Sequence, residues 1–455
     1  MSEQIVVPFE GGISGVGELT WGQREIWPSL QESHTTSFSI GGWAELPPGR
    51  TAADIADDLH FLMGRHSSLR TRLQFAADGR PQQAIARSGK ALLEVIDSGD
   101  ADPAQVAADV YSRLDSRSAL DCASDWPIRW AVIVSRGTAS HLVSLISHLA
   151  ADGEGVRLIL DDLAGRDPAT GLAAGPVTAI QPLELASQQA TPAGMKQSDA
   201  ALRRWEQLLR MVPARKFPGP AYHRPPRFQQ TFYDSPASFL AVQTVAARTK
   251  VSTGTVLLAA YAVAQARLTG SNPAVVQLVV NNRFRPGFKQ VVSQLCHFGL
   301  CVIDVAGITI DQAVSRARGS AMSAYKIAYC DPLRRRELVA RIGRERGEEP
   351  DIGACFVNDR RMQHRQEPGE QPPGPAEVLA ARPSTLIKGY ENNEDSGERC
   401  YLHINNEPDT IRYELLADTR DLSPANIEAF LRGIETVIVE AALDPAAPTA
   451  VGKAG

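Results

Sequence analysis

The chain has 455 residues, more than a single hydrophobic core usually serves, so we expect two domains or lobes. Hydrophobic residues make up 43% and charged residues 22%, which excludes collagen-like, coiled-coil and wholly disordered chains. The net charge of -5 gives no sign of a polyanionic partner, so we expect no nucleic-acid binding.

Cysteine usage and the N-terminus both indicate a cytoplasmic protein. No apolar run approaches the roughly 20 residues that cross a bilayer, and no basic start followed by an apolar core marks a signal peptide. The cysteines are scattered without a CxxC pair, so we expect reduced, mostly buried thiols and no metal site. They are Cys122, Cys296, Cys301, Cys330, Cys355 and Cys400.

The first half of the chain predicts helices and strands in alternation. A helix starts after Thr20, with Gln23 completing a capping box, and a second helix covers 51–65. A hairpin follows around Asp78-Gly79. Two apolar strands, IRWAVIVS and ASHLVSLIS, precede an amphipathic helix over 156–163.

The second half begins after a passage at 164–194 that lacks periodicity and is the expected link between lobes. Helices are predicted over 195–212, 238–250 and 253–270, the last deeply buried, and a buried strand over 274–280. Residues 359–383 are proline-rich and predict a mobile surface loop. Two strands flank a turn at 406–409, a final helix starts at Ser423-Pro424, and the tail beyond Asp444 should fray.

The sequence around His148 fits a catalytic role for this histidine. It follows a strand, Asp152 comes four residues later, and Gly153 opens a helix. An imidazole there can accept a proton near neutral pH, and the Gly153 N–H is placed to meet a developing oxyanion. The alternative is a core histidine followed by an Asp-Gly turn.

Three strings in the first 155 residues resemble a known family. ISHLAADG resembles the HHxxxDG signature of the condensation-domain superfamily of non-ribosomal peptide synthesis. LTWGQREIW resembles the family's opening motif and RHSSLRTRLQF its second, RHExLRTxF, in the family's order. Weaker matches continue through QPLELASQQ, RRWEQLL, TGTVLLAAYAVAQARLTG and NNRFRPGFKQVVSQLCHFGLCVID, so the resemblance spans nearly the whole chain.

The resemblance implies an α/β fold of the chloramphenicol acetyltransferase type, with a substrate tunnel between two lobes. We expect an N-terminal lobe over 1–180 and a C-terminal lobe over 181–455. It also implies acyl transfer from a carrier-protein thioester to an amine or hydroxyl, in antibiotic-type biosynthesis. The substrates arrive on the carrier's phosphopantetheine, and the enzyme has no metal or cofactor of its own.

The resemblance assigns roles to particular residues. His148 is the catalytic histidine and the Gly153 amide assists, while Asp152 is structural and pairs with Arg283 from the second lobe. Asn358 is expected to bind substrate. From the residues alone, Arg283 also fits a solvated strand end and Asn358 a turn cap. The arginines at 334–346 fit an acidic carrier protein or, alternatively, a solvated helix face.

Ser147 departs from the family because it replaces the first His of HHxxxDG. It leaves open a non-catalytic condensation-like domain that recruits partner enzymes to a carrier-bound intermediate. An acyl-CoA-dependent acyltransferase is a further alternative, since CoA presents the same pantetheine arm. No adenylation motif or carrier-domain signature is recognisable, so we expect a free-standing enzyme that meets its carrier protein in trans.

Overall fold

The computed structural model of the protein describes residues 2–32, 38–116, 120–167, 170–171, 175–213, 217, 226–353, 355–361, 371–391 and 399–452. The chain divides into two compact units. The first comprises Met1–Gln197 and Asn281–His297, and the second comprises Ser198–Val280 and Phe298–Gly455. Within the described ranges, no helix is long and apolar enough to cross a membrane.

The first unit combines two sheets with helices. Its strands are β1 (Ser2–Glu10), β2 (Gly15–Glu18), β3 (Ser39–Glu45), β4 (Thr71–Phe75), β5 (Pro81–Ile85), β6 (Ser88–Asp97), β7 (Ile128–Ser135) and β8 (Thr138–Ser147). Its helices are α1 (Trp21–Glu32), α2 (Ala52–Arg65), α3 (Pro103–Leu114), α4 (Gly153–Ala164) and α5 (Pro182–Gln189). The five-stranded sheet has the order β1-β6-β7-β8-β3, and the three-stranded sheet has the order β2-β5-β4.

Strand β7 explains how the larger sheet is covered on both sides. Val132 packs in a cluster with residues of α2 and α4, whereas Ile133 packs in a cluster with residues of α3. Successive side chains of a strand point to opposite faces, so both faces of β7 are buried. This accounts for the unbroken apolar run in its sequence.

The second unit holds a seven-stranded mixed sheet. Its strands are β9 (Phe228–Ser235), β10 (Ala274–Val280), β11 (His297–Ile303), β12 (Phe356–Asp359), β13 (Leu386–Glu391), β14 (Cys400–Glu407) and β15 (Thr410–Asp418), in the order β11-β10-β12-β14-β15-β9-β13. The helices are α6 (Pro192–Leu209), which crosses the boundary at 197, and α7 (Pro236–Thr249), α8 (Thr253–Thr269), α9 (Ile310–Ala328), α10 (Pro332–Arg346), α11 (Pro375–Ala381) and α12 (Pro424–Leu443).

Helix α8 lies at the centre of the second unit's core. Its residues from Val256 to Ala266 are all buried, and the Tyr261 ring meets the Phe430 ring of α12 edge-on with centroids 5.0 Å apart. Small alanines around the helix let α7, α9 and α12 pack against it. A helix apolar on nearly every face is stable only in such a position, as its sequence predicts.

Most predicted elements are confirmed. The capping box of α1 forms, with Gln23 N–H donating to Thr20 Oγ1 at 3.2 Å and Thr20 N–H donating to Gln23 Oε1 at 2.8 Å. The hairpin at Asp78-Gly79 is β4 and β5, and Ser423 caps α12 ahead of Pro424. All six cysteines are free thiols.

Three expectations about local structure are wrong. The passage at 164–194 contains α5, which belongs to the first unit because the Gln83 side chain donates to the Pro182 carbonyl at its start. The first unit therefore reaches beyond 180. Residues 371–383 include the short helix α11, while 362–370 of the predicted loop lie outside the described residues.

The third correction concerns the tail after Asp444, which does not fray within the described residues. Thr449 is fully buried, and its hydroxyl donates to the carbonyl of Val305 at 2.7 Å. Val451 is also buried. These contacts join positions more than 140 residues apart, so the local composition of small residues could not predict them.

Candidate active site

The loop between β8 and α4 carries the predicted catalytic histidine. His148 is half-buried, and its backbone N–H donates to the Phe38 carbonyl at 3.0 Å. The two rings lie 6.1 Å apart between centroids. Phe38 has a φ of 52°, a left-handed conformation that costs energy for a residue other than glycine. Such strain persists only where the surrounding contacts hold the residue in place.

Asp152 is the N-cap of α4 and is almost completely buried, at 1% exposure. Its Oδ1 accepts the Gly155 N–H at 2.8 Å, and its Oδ2 accepts the Leu295 N–H at 3.0 Å. Arg283 completes the shell with Nη1 at 2.8 Å from Oδ2 and Nη2 at 2.7 Å from Oδ1. Both oxygens of the Asp152 carboxylate are thus engaged, and they tie the start of α4 to the segment 281–297.

Arg283 is itself fixed by its own segment of the first unit. Its Nη2 donates to the Val291 carbonyl at 3.0 Å, and its backbone N–H donates to Asn281 Oδ1 at 3.1 Å. The preceding residue, Asn282, has a φ of 57° and donates from Nδ2 to the Leu295 carbonyl at 2.9 Å. Asn281–His297 is thereby folded into a loop that presents a guanidinium to the start of α4.

Cys296 adds a thiol to the same carboxylate. Its Sγ lies 3.4 Å from Asp152 Oδ2. Burial, and then the negative charge of Asp152, raise the pKa of the Cys296 thiol well above its ordinary value. The thiol is therefore protonated at neutral pH and donates to Asp152, so it supplies no nucleophilic thiolate.

Two glycines at the start of α4 have different surroundings. Gly153 is exposed, and a Cβ built on it would meet no heavy atom within 4 Å, which leaves room beside the first turn of the helix. At Gly155 a Cβ would lie 3.1 Å from Ala151 Cβ, 3.3 Å from Asp152 Oδ1 and 3.4 Å from Arg283 Nη2. Sequence reasoning singled out Gly153 and missed Gly155, whose close packing no local pattern signals.

Ser147, which stands at the first His of the signature, is 1% exposed. It is the last residue of β8 and pairs with Ser39 of β3. Its hydroxyl accepts the Leu149 N–H at 3.3 Å, and its carbonyl accepts the Ala150 N–H at 2.9 Å. Ser147 therefore shapes the turn that carries His148.

The second motif contributes two arginines, of which Arg70 is buried and Arg65 half-buried. Arg70 is 1% exposed and donates from Nη1 to the Ile13 carbonyl at 2.9 Å and to the Ala86 carbonyl. Arg65 forms a bidentate pair with Asp162 of α4. These contacts join the end of α2 to α4, and the turn after α2 to the residues that follow β1 and β5.

The remaining predicted residues lie in the second unit. Asn358 is half-buried on β12, where it is the register partner of His403 on β14. The α10 arginines are engaged within the unit, since Arg334 pairs with Asp199 and Arg341 with Glu206. The structure thus brings His148, Ser147, Asp152, Gly153 and Arg283 together in the first unit.

A sequence model of the condensation domain matches residues 14–330. The chain belongs to the condensation domain family. Among the described residues, the first and second motifs pack beside the His148 loop, since Leu19, Leu73 and Leu149 share one apolar cluster.

Curated relatives of this condensation domain include antimetabolite and peptide synthetases. It is 26% identical over 309 residues to the AMB antimetabolite synthetase AmbB of Pseudomonas aeruginosa, covering 66% of this chain and 24% of AmbB. The chain spans about a quarter or less of the length of the curated relatives it matches first.

Solved structures share the fold at low sequence identity. A condensation domain for chain release from the enacyloxin polyketide synthase has a TM-score of 0.71 at 18% identity, covering 96% of this chain and 85% of that chain. The X-domain in complex with OxyB from teicoplanin biosynthesis has a TM-score of 0.72 at 15% identity, covering 97% and 96%. Together with the mixed α/β architecture, these likenesses establish the chloramphenicol acetyltransferase-like fold.

Proposed function

We propose that this condensation domain transfers an acyl group from a carrier-protein thioester to an amine or hydroxyl. The observation that carries the proposal is the shell of donors around Asp152, which fixes the start of α4 in the loop that carries His148. The phosphopantetheine arm of the carrier presents the thioester, and the protein supplies positioning and acid–base chemistry.

The reaction balances with His148 as the proton carrier. The nucleophile attacks the thioester carbonyl while His148 takes its proton, forming the new C–N or C–O bond. The C–S bond then breaks, and the proton passes to the departing pantetheine thiolate. The Gly153 amide, at the positive end of α4, stabilises the negative oxygen of the tetrahedral intermediate.

In this proposal, Asp152 and Arg283 have a structural role. Their ion pair is buried at 1% and 6% side-chain exposure, and it holds the segment 281–297 against the N-terminus of α4. Removing either partner leaves an uncompensated buried charge, so both are required for the loop geometry. Asn358 is proposed to contact substrate.

Single-turnover transfer with His148→Ala tests the proposal. With acyl carrier protein loaded with a labelled acyl group, we expect a loss of roughly 10²- to 10⁴-fold, the usual contribution of a positioned acid–base group. His141→Ala is the matched control, because His141 lies on β8 and is half-buried like His148, but its ring packs against Trp43.

The same transfer assay distinguishes the proposed function from a CoA-dependent transfer and from a recruiting role. Acyl-CoA run in parallel distinguishes a CoA donor from a carrier donor. Ser147 favours the second candidate, a non-catalytic condensation-like domain that recruits partner enzymes. Full retention of transfer in His148→Ala would contradict the catalytic role of His148. Absence of transfer in the wild type, together with equal affinity for apo and holo carrier, would favour the recruiting role.

A further inference from the structure

One face of the second unit's sheet carries a row of polar side chains. Val357 and Leu402 lie in the core of the unit, so the side chains of the next residues, Asn358 and His403, lie on the opposite face. Asn358 pairs in register with His403, and His403 pairs with Glu414 on β15. Adjacent strands are about 4.8 Å apart, so one small group can contact neighbouring members of this row.

Arg360 determines the tautomer of His403. Its Nη2 lies 3.2 Å from His403 Nε2, and since a guanidinium only donates, Nε2 is the acceptor. The imidazole proton is therefore on Nδ1. Burial, and then the positive charge of Arg360, lower the pKa of His403 to about 2, so the ring is neutral at physiological pH.

The Nδ1–H of His403 is a buried donor without an acceptor among the described residues. His403 is 8% exposed, and an unsatisfied buried donor lowers the stability of the fold. The nearby Glu414 carboxylate accepts from Gln230 at 2.6 Å and from Asn405 at 3.2 Å, and His403 Nδ1 is not among its donors. A donor left open in this way fits a ligand that brings its own acceptor oxygen.

An apolar stripe leads to this donor along the same face. The rings of Phe298, Phe356, Tyr401 and His403 follow one another with centroid separations of 4.9, 5.4 and 4.4 Å. The first three are half-buried, so part of each ring is accessible. A ligand on this face meets apolar ring surface first and the polar row next.

We propose that His403 Nδ1–H and the Asn358 side-chain amide form a binding site for a neutral carbonyl oxygen of the substrate, with its apolar part on the aromatic stripe. Arg360 and Glu414 balance in charge beside the site, with Nη1 and Oε2 3.8 Å apart, so no net charge attracts a carboxylate or an ammonium group. The inference deepens the proposed function and rests on it for naming the ligand a substrate.

Three probes with one carbon skeleton test the chemistry. In protein labelled with ¹⁵N-histidine, 3-phenylpropanamide should shift the His403 Nδ1–H resonance and slow its exchange with water, because its carbonyl accepts the proton. The same titration with 3-phenylpropanoate and 3-phenylpropylamine tests the preference for a neutral acceptor. Stronger binding of the carboxylate or the amine would overturn the assignment.

Substitutions of His403 and Asn358 test whether these residues bind the probe. His403→Phe keeps the ring and removes the donor, and Asn358→Ala removes the amide; each should weaken binding of the amide probe roughly tenfold, the contribution of one hydrogen bond. His403→Gln retains an N–H donor and should keep part of the affinity, whereas the control His141→Phe should change nothing. Unchanged affinity in both His403→Phe and Asn358→Ala, or no shift of the Nδ1–H resonance by any probe, would refute the site.

The failure of this site is distinguishable from the failure of the proposed function. His148→Ala should reduce transfer roughly 10²- to 10⁴-fold yet leave binding of 3-phenylpropanamide unchanged, because His403 and Asn358 supply the groups that bind the probe. If the probe binds as expected while His148→Ala keeps full transfer, the catalytic assignment fails and the carbonyl site stands. If transfer depends on His148 but the probe does not respond to His403, only the carbonyl site fails.

Discussion

The Gln23 side chain donates from Nε2 to the carbonyl of Leu149 at 3.4 Å, which joins the first motif to the residue after His148. Gln23 is 1% exposed and also closes the capping box of α1. Its neighbour Gly22 lies so close to the segment 281–297 that a Cβ there would come within 1.8 Å of the Gln294 carbonyl. Helix α1 therefore supports the His148 loop and the Arg283 loop together.

Replacing Gln23 with Ala should destabilise the first unit by about 1–2 kcal/mol, because a cap and a buried hydrogen bond are both lost. Hydrogen exchange of the amides at 149–151 should rise, and denaturant unfolding gives the free energy. Gln31→Ala on the exposed side of the same helix is the control. Equal effects of the two substitutions would show that Gln23 does not support the loop.

The pair of Asp152 and Arg283 should behave as one unit in a double-mutant cycle. Asp152→Asn and Arg283→Ala should each cost about 3–5 kcal/mol of unfolding free energy, and the double variant little more than either single one. The exposed pair of Glu94 and Arg113 is a matched comparison expected to contribute about 0–1 kcal/mol. Additive losses for Asp152 and Arg283 would mean that their interaction carries no coupling energy.

The local sequence pattern predicted the helices and strands around the site, but it did not reveal most of the residues that join them. The apolar run of β7 and the strand-turn-helix after β8 follow from composition, and the family resemblance named Arg283. Gly22 and Gly155 are different, because the local sequence does not show why a glycine is needed there. A side chain at Gly22 would collide with the Gln294 carbonyl, far along the chain, and one at Gly155 would press on the Asp152–Arg283 pair. His403 also gave no signal, since its tautomer depends on Arg360 and on the register of β14.

Gly155→Ala and Gly153→Ala should have opposite consequences for stability. The Gly155 methyl would press on Ala151 and on the Asp152–Arg283 pair, so we expect a lower thermal midpoint and a loss of about 1–3 kcal/mol. The Gly153 methyl meets nothing, and alanine favours helix, so stability should be unchanged or rise by up to about 1 kcal/mol. A loss of transfer in a stable Gly153→Ala would indicate that substrate occupies this space.

Asp162 should make stability depend on acid pH. The His66 imidazole, with Nε2 3.3 Å from Oδ2, and then Arg65 hold the pKa of Asp162 well below its ordinary value. A carboxyl with a lower pKa in the folded state stabilises the fold above its unfolded pKa and loses that contribution as pH falls. The stability gap between wild type and Asp162→Asn should therefore narrow below about pH 4. A gap independent of pH would contradict this linkage.

Ser147→His, which restores the family's first histidine, should destabilise this chain. Ser147 is 1% exposed, and its hydroxyl accepts the Leu149 N–H in the turn that carries His148. An imidazole needs volume that this buried position does not offer, so overpacking should cost about 1–3 kcal/mol. Ser147→Ala is the control and should cost about 1 kcal/mol, because it loses one hydrogen bond without adding volume. Thermal unfolding of both variants measures the difference, and single-turnover transfer at a temperature where both are folded measures its effect on chemistry. If Ser147→His is as stable as the wild type and its transfer rate is unchanged, the turn has room for histidine, and serine at this position has no influence on the site.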